Sequence, residues 1–236
     1  MKRVSFLNMC LAASMLLFVL TACDDDDDVM KPATAKALVV HASPDAPAVD
    51  LYVDNTKVNT SALAYPANTA YLTVNAGKRN IKVNPTGTST SVINVDVDFM
   101  QGSAYSIFAY DSVSQISPLV VMDDLATPAA GKAHIRFFHL SPNAPGVTVG
   151  VLNGETFTPV FSNRSFETAA TAMANQGFTP VDAGTYTLEV RLPADNTPVL
   201  TIPGVTLQAG KIYTVFARGL VGNTTIPLGA EVIVHN

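Results

Sequence analysis

The chain repeats itself, and the repeat limits the folds open to it. His41-Ala-Ser-Pro-Asp-Ala-Pro-Ala-Val49 returns 98 residues later as His139-Leu-Ser-Pro-Asn-Ala-Pro-Gly-Val147. Val74-Asn-Ala-Gly77 returns as Val181-Asp-Ala-Gly184, and Gly102-Ser-Ala-Tyr105-Ser-Ile-Phe108-Ala109 as Gly210-Lys-Ile-Tyr213-Thr-Val-Phe216-Ala217. Pro118-Leu119 returns as Pro227-Leu228. Four collinear matches indicate duplication, so the architecture is built twice from units of about 100 residues. The offset grows from 98 to 107, which places nine extra residues of the second copy between Val151 and Val181. Ala126-Thr-Pro-Ala-Ala-Gly-Lys132 is the natural linker. The expected organisation is a first repeat over 36–125, a linker over 126–132 and a second repeat over 133–236, each copy folding on its own.

Each copy reads as all-β. Val49, Leu51 and Val53 alternate with Asp50 and Tyr52, and Val147, Val149 and Val151 alternate with Thr148 and Gly150, the period of a half-buried strand. Apolar segments on either side of Ala76-Gly77 and Ala183-Gly184 are expected to form hairpins around a glycine turn. Short strands at this spacing point to a Greek-key sandwich. Phe99-Met-Gln-Gly102-Ser-Ala-Tyr105 and Leu207-Gln-Ala-Gly210-Lys-Ile-Tyr213 each bring a tyrosine into an apolar strand just after a turn glycine. That spacing resembles the tyrosine corner of immunoglobulin-like domains, where the hydroxyl bonds back to nearby backbone, so Tyr105 and Tyr213 are read as structural. The fold class is therefore two tandem Greek-key β-sandwiches of immunoglobulin-like type.

The repeated His-x-Ser-Pro-Asp/Asn-Ala-Pro segment, followed by Val-x-Val/Leu-x-Val, is similar to a bacterial envelope family called domain of unknown function 4397. Val40-His-Ala-Ser-Pro-Asp-Ala-Pro-Ala-Val-Asp-Leu-Tyr-Val53 is the closer copy, and the resemblance runs from about Lys36 to His235. It implies exported, often tandem β-domains. It implies no reaction, since the family has no assigned catalytic residues to carry over.

The first 35 residues bear on location rather than fold. Lys2 and Arg3 precede an apolar stretch from Phe6 to Val19, and Leu20-Thr-Ala-Cys23 closes it. This is the layout of a secretory signal over 1–22, and Cys23 resembles the lipid acceptor of a bacterial lipoprotein. The stretch is short against the roughly 20 residues of a spanning helix. Cys10 and Cys23 are the two cysteines. Removal of the first and lipidation of the second leave none for a disulfide, so hydrophobic cores must hold the fold. Asp24 to Asp28 cannot be buried together, and 23–35 is expected to be an extended acidic tether. An acidic stretch after a lipidated cysteine resembles a surface-export signal of some Gram-negative groups. The expected address is the outer membrane with the body at the cell surface, the periplasmic face being the alternative.

After cleavage the chain carries 12 basic and 19 acidic residues, five of the acids in the tether. The body is close to neutral, and no basic stripe suits nucleic acid. His41, Ser43 and Asp45 invite a catalytic reading, but the second copy keeps His139 and Ser141 while replacing Asp45 by Asn143. What survives is an Asx side chain able to bond local backbone in a turn, in a loop stiffened by Pro44 and Pro47 and by Pro142 and Pro145. These motif residues are read as structural. His41, His134, His139 and His235 lack the spacing of a zinc site, and neither a metal nor a cofactor is expected. Tyr52, Tyr65 and Tyr71 could stack on a sugar. Arg164, Phe166 and Glu167 in the extra segment, read as an elaborated surface loop, are the other candidate ligand contacts. The resulting expectation is a lipid-anchored, non-enzymatic binding, adhesion or structural module meeting a polysaccharide or an envelope protein. An envelope hydrolase is the alternative.

Overall fold

The structure, a computed structural model, describes residues 32–236; the expected signal, Cys23 and the acidic run lie outside the described residues. Pro32–Asn236 forms one compact unit. Among the described residues, no helix is long and apolar enough to cross a membrane.

The first repeat contributes β1 (Thr34–His41), β2 (Val49–Val53), β3 (Thr56–Lys57), β4 (Leu72–Asn75), β5 (Gly77–Pro85), β6 (Ile93–Phe99), β7 (Ala104–Tyr110) and β8 (Ser117–Asp123). The second contributes β9 (Lys132–His139), β10 (Val147–Asn153), β11 (Thr156–Arg164), helix α1 (Ala169–Asn175), β12 (Thr179–Asp182), β13 (Gly184–Arg191), β14 (Pro198–Leu207), β15 (Ile212–Arg218) and β16 (Gly229–Val234). The chain is all-β, with two tandem sandwiches of identical strand order. One sheet runs β4-β1-β7-β8 and its copy β12-β9-β15-β16; the other runs β3-β2-β5-β6 and its copy β11-β10-β13-β14. Within each sandwich one neighbouring pair is parallel, β1 with β7 and β9 with β15.

Alternation explains the outer sheets. Val49, Leu51, Ile81 and Val83 face the first core, and Val147, Val149, Leu188 and Val190 face the second. The inner sheets are different. Ala37, Val39, Ile107 and Ala109 enter the first core, while Leu38, Val40, Phe108 and Tyr110 on the same two strands enter a third core. Phe138, Leu140, Phe216 and Ile233 meet them there from the second repeat. Every residue of β7 is buried, as double-sided burial requires. The four sheets therefore stack in order, with a core in each sandwich and one between them.

Two expectations need correction. The segments around Ala76-Gly77 and Ala183-Gly184 are not hairpins: β4 pairs with β1 whereas β5 pairs with β2 and β6, and β12 and β13 are likewise in different sheets. Each is a corner between sheets, with Gly77 at φ +83° in the first. A tight glycine turn serves either role, and the sequence around it is the same. The extra segment is no plain loop, because α1 forms within it. Thr168 caps the helix by accepting from Thr171 N, and the Thr171 hydroxyl oxygen accepts in return from Thr168 N. Ala172 of α1 is wholly buried in the third core. Each copy produced alone would leave its half of that core in water, which bears on the expectation that each folds on its own.

The second sandwich is filled less completely. An apolar cleft of about 340 Å³ opens between its sheets among Phe137, Phe161, Leu188 and Leu207.

Residues 32–125 produced alone are expected to self-associate or to bind 132–236 when the two are mixed, as read by sedimentation. A monodisperse monomer melting at the temperature of the whole chain would overturn the shared core. Phe108, whose ring lies 5.5 Å from Phe138 and 6.0 Å from Phe216, should cost about 3–5 kcal/mol on replacement by alanine.

Candidate functional site

The repeated histidine motif is the corner by which the chain leaves β1 for β2, or β9 for β10, and so crosses from inner to outer sheet. His41 and His139 are both fully buried. Nε2–H of His41 donates to Pro47 O at 2.9 Å, and Nε2–H of His139 donates to Pro145 O at 2.9 Å. Burial lowers both histidine pKa values, against the pull of those carbonyls. Asp45 Oδ1 accepts from Val113 N at 2.7 Å, and Asn143 Oδ1 accepts from Val221 N at 2.8 Å. The Asx contact is thus not the local turn bond expected from sequence. It ties each corner to the loop after β7 or β15, and an amide oxygen serves as well as a carboxylate. Ser141 Oγ donates to Gly219 O at 2.7 Å, whereas buried Ser43 Oγ has no hydrogen-bond partner. Pro44 is buried and Pro142 half-buried, while Pro47 and Pro145, whose carbonyl oxygens accept from the histidines, are exposed.

Tyr105 and Tyr213 act alike. Their hydroxyls accept from Met100 N at 3.1 Å and from Gln208 N at 2.9 Å, each five residues upstream.

Arg164, Phe166 and Glu167 do not form a recognition loop. Glu167 is fully buried; its carboxylate accepts from the Thr171 hydroxyl at 2.6 Å and from Asn175 Nδ2 at 3.0 Å. Phe166 packs on Tyr110 of the first repeat and His139 of the second. The Arg164 guanidinium lies 5.4 Å from the Phe161 ring, and burial lowers its pKa while Glu167 opposes. The extra residues clamp the two sandwiches. Tyr65 is half-buried beside His41, with the Arg218 guanidinium 6.0 Å from its ring; burial raises its pKa.

Sequence reasoning missed a polar ring at the centre of the seam. Arg136 and Asp123 are buried with no exposed side-chain surface, and Arg136 Nη2 donates to Asp123 Oδ1 at 2.5 Å. Arg136 Nε donates to Thr214 Oγ1 at 2.8 Å, and Thr214 donates to His235 Nε2 at 2.7 Å. Nδ1–H of His235 donates to the Tyr71 hydroxyl at 2.7 Å, which donates to Asp123 Oδ2 at 2.5 Å and closes the ring. Ser106 Oγ adds a bond to Asp123 at 2.8 Å, and the Phe178 ring covers the guanidinium at 4.4 Å. One proton arrangement satisfies every member, and in it His235 is neutral. Burial accordingly lowers His235 to about 4, with Arg136 adding to the shift and Asp123 resisting it. Burial first, then the Asp123 charge, raises the Tyr71 pKa. Tyr71 is therefore a seam residue, not a sugar platform. An arginine isolated in the apolar run Ile135-Arg-Phe-Phe138 was the available signal.

Of the sequence-stated ligand contacts, Tyr52 lies in an open groove, of about 620 Å³, on the outer face of the β3-β2-β5-β6 sheet. Asp50, Lys82 and Asn84 share it. Among the described residues, no cluster of three or more histidine, cysteine or acidic side chains could hold a metal ion.

Residues 35–150 match the model of a family described as Domain of unknown function (DUF4397). No curated protein matches the chain. The crystal structure of a "putative cell adhesion protein" from Bacteroides fragilis is similar at 10% identity, over 87% of this chain and 97% of that one, with a TM-score of 0.17.

Two outcomes are expected. Asp45→Asn should shift stability by no more than about 0.5 kcal/mol by chemical denaturation, and Asp45→Ala should cost about 1 kcal/mol. The second prediction concerns acid. His235 titrates at about 4 when folded, against 6.5 ordinarily. The unfolded chain binds the extra proton between those values, so the histidine's contribution is complete above pH 6.5 and fades as pH falls toward 4. The loss is on the order of 3 kcal/mol. His41 and His139 act in the same direction. Denaturation curves at pH 7 and 4.5 would test this, and equal stability at both would refute the neutral ring.

Proposed function

The chain belongs, through residues 35–150, to the DUF4397 family, and from that premise we propose that it is a lipid-anchored, non-enzymatic binding or structural module of the bacterial envelope. Cys23 carries the lipid, 23–35 spaces the body from the membrane, and the address is the outer membrane with the body at the surface.

The supporting observation is the fate of the repeated motif. Both histidine rings and both Asx side chains are committed to backbone partners at equivalent places. A nucleophile and base need free side chains converging on one accessible point, and these hold corners instead. The shared core and the buried ring weld the two sandwiches, so surfaces on both are presented in fixed relation. That suits recognition or scaffolding, in which loops and faces on a rigid frame meet a partner.

Cys23→Ser should move the protein from the membrane to the soluble fraction, because several acyl chains anchor firmly and none would remain. Protease applied to intact cells should digest the body. Persistence of the serine variant in membranes would overturn the anchor, and full protection would overturn surface display. Hydrolysis of an ester or peptide substrate that His41→Ala abolishes without altering the melt would overturn the non-enzymatic reading.

A further inference from the structure

We propose that the outer face of the β3-β2-β5-β6 sheet is a glycan-binding site, with Tyr52 as its stacking platform. The proposal deepens the binding-module reading and rests on it.

Strand alternation sends Asp50 and Tyr52 of β2, and Lys82 and Asn84 of β5, to the face opposite the core. Register sets Tyr52 directly across from Lys82, Asp50 across from Asn84, and Lys57 of β3 across from Tyr52 on its other side. A half-buried aromatic ring thus sits mid-sheet between two lysines. Their ammonium groups are drawn off to Asp50 Oδ1 at 2.8 Å and Asn55 Oδ1 at 2.6 Å.

The turn after β5 makes the groove's rim. Gly87, at φ +77°, donates from its N–H to Asp50 Oδ2 at 3.4 Å, and Asn84 Nδ2 donates to Thr88 O at 3.3 Å. The Asn84 side-chain oxygen is left buried without a hydrogen-bond partner, in a residue 6% exposed that lines the groove. An unmet acceptor of this kind calls for a donor, and sugar hydroxyls are donors.

The second repeat supplies an internal control. Gly150 stands where Tyr52 does, Glu189 where Lys82 does and Arg191 where Asn84 does, in the same register. There the face is closed by the chain itself. The Phe157 ring lies so near Gly150 that a Cβ would come within 2.7 Å of it. Arg191 stacks on that ring at 4.3 Å and is held by Glu189 Oε2 at 2.6 Å. One copy thus caps its outer face with its own aromatic ring, and the other leaves an aromatic ring open beside an unmet amide.

The chemistry selects the ligand class. An aromatic face takes the apolar C–H side of a sugar ring, while amide and carboxylate oxygens accept from its hydroxyls. The groove is open and largely polar, which suits a segment of an oligosaccharide chain rather than an acyl tail.

The test is titration of the mature chain with cellohexaose, mannohexaose, xylohexaose and hexagalacturonate, followed by amide NMR shifts. At least one probe should shift Tyr52, Lys82, Asn84 and Thr88 together. Tyr52→Ala should weaken that binding at least about tenfold, with Tyr52→Phe retaining it and Phe157→Ala leaving it unchanged. The melt of each variant separates loss of ligand from loss of fold. Absence of groove shifts with every probe, or binding indifferent to Tyr52→Ala, would overturn the proposal. Capture of envelope protein without any glycan response would sink the glycan assignment and spare the binding-module reading.

Discussion

Along most of their length β1, β7, β9 and β15 are buried on both faces. One side of each packs into the core of its own sandwich and the other into the core between the two, so neither repeat can be described without its neighbour. Apolar surfaces alone would tolerate sliding, because the hydrophobic effect has no direction. The Arg136–Asp123 ring removes that freedom. A guanidinium buried among Thr214, Asp123 and Ser106 is satisfied in one arrangement, and displacing it would strand a charge in a medium that punishes it severely.

Much of this was written openly in the sequence. The repeat offsets reproduce the duplicated strand order, and the spacing from turn glycine to tyrosine locates two hydroxyls that close on backbone five residues away. Other features were written ambiguously. A glycine between apolar segments marks a reversal whether the chain returns beside itself or crosses to the facing sheet, which is why Gly77 suggested a hairpin. Leu38-Val39-Val40 and Phe137-Phe138 broke the alternation, and continuous apolar runs of this kind signal burial on both faces. The polar ring was illegible because its members come from five separate stretches between Tyr71 and His235. No local pattern connects them; only the fold does.

The two copies have kept their corners and, outside the polar ring, the apolar character of their inner faces, and they have diverged on their outer faces. Tyr52 has become Gly150, and Lys82 has become Glu189. The inner faces are constrained by packing against each other, so a change in one must be absorbed by its opposite. The outer faces meet no second sheet, and there the differences accumulate. The family match, which runs from β1 through the first repeat and stops inside β10, follows the copy whose corner keeps the aspartate.

The seam has a further property. Residues at corresponding stations of the two copies meet across it: Phe108 touches Phe216, and Ser106 and Thr214 both bond Arg136. Asp123 and His235, which occupy the same place beside β7 and β15, are joined through Tyr71. Like facing like is the geometry of a two-fold homodimer. Here the halves are on one chain, and that changes what the contact can contain. A true homodimer must repeat every contact off its axis, so a buried arginine at this depth would appear twice. Joined copies are released from that obligation, and Leu38 can stand where its counterpart is Arg136. Covalent linkage has converted a symmetric surface into a keyed one, with one ion pair in one socket.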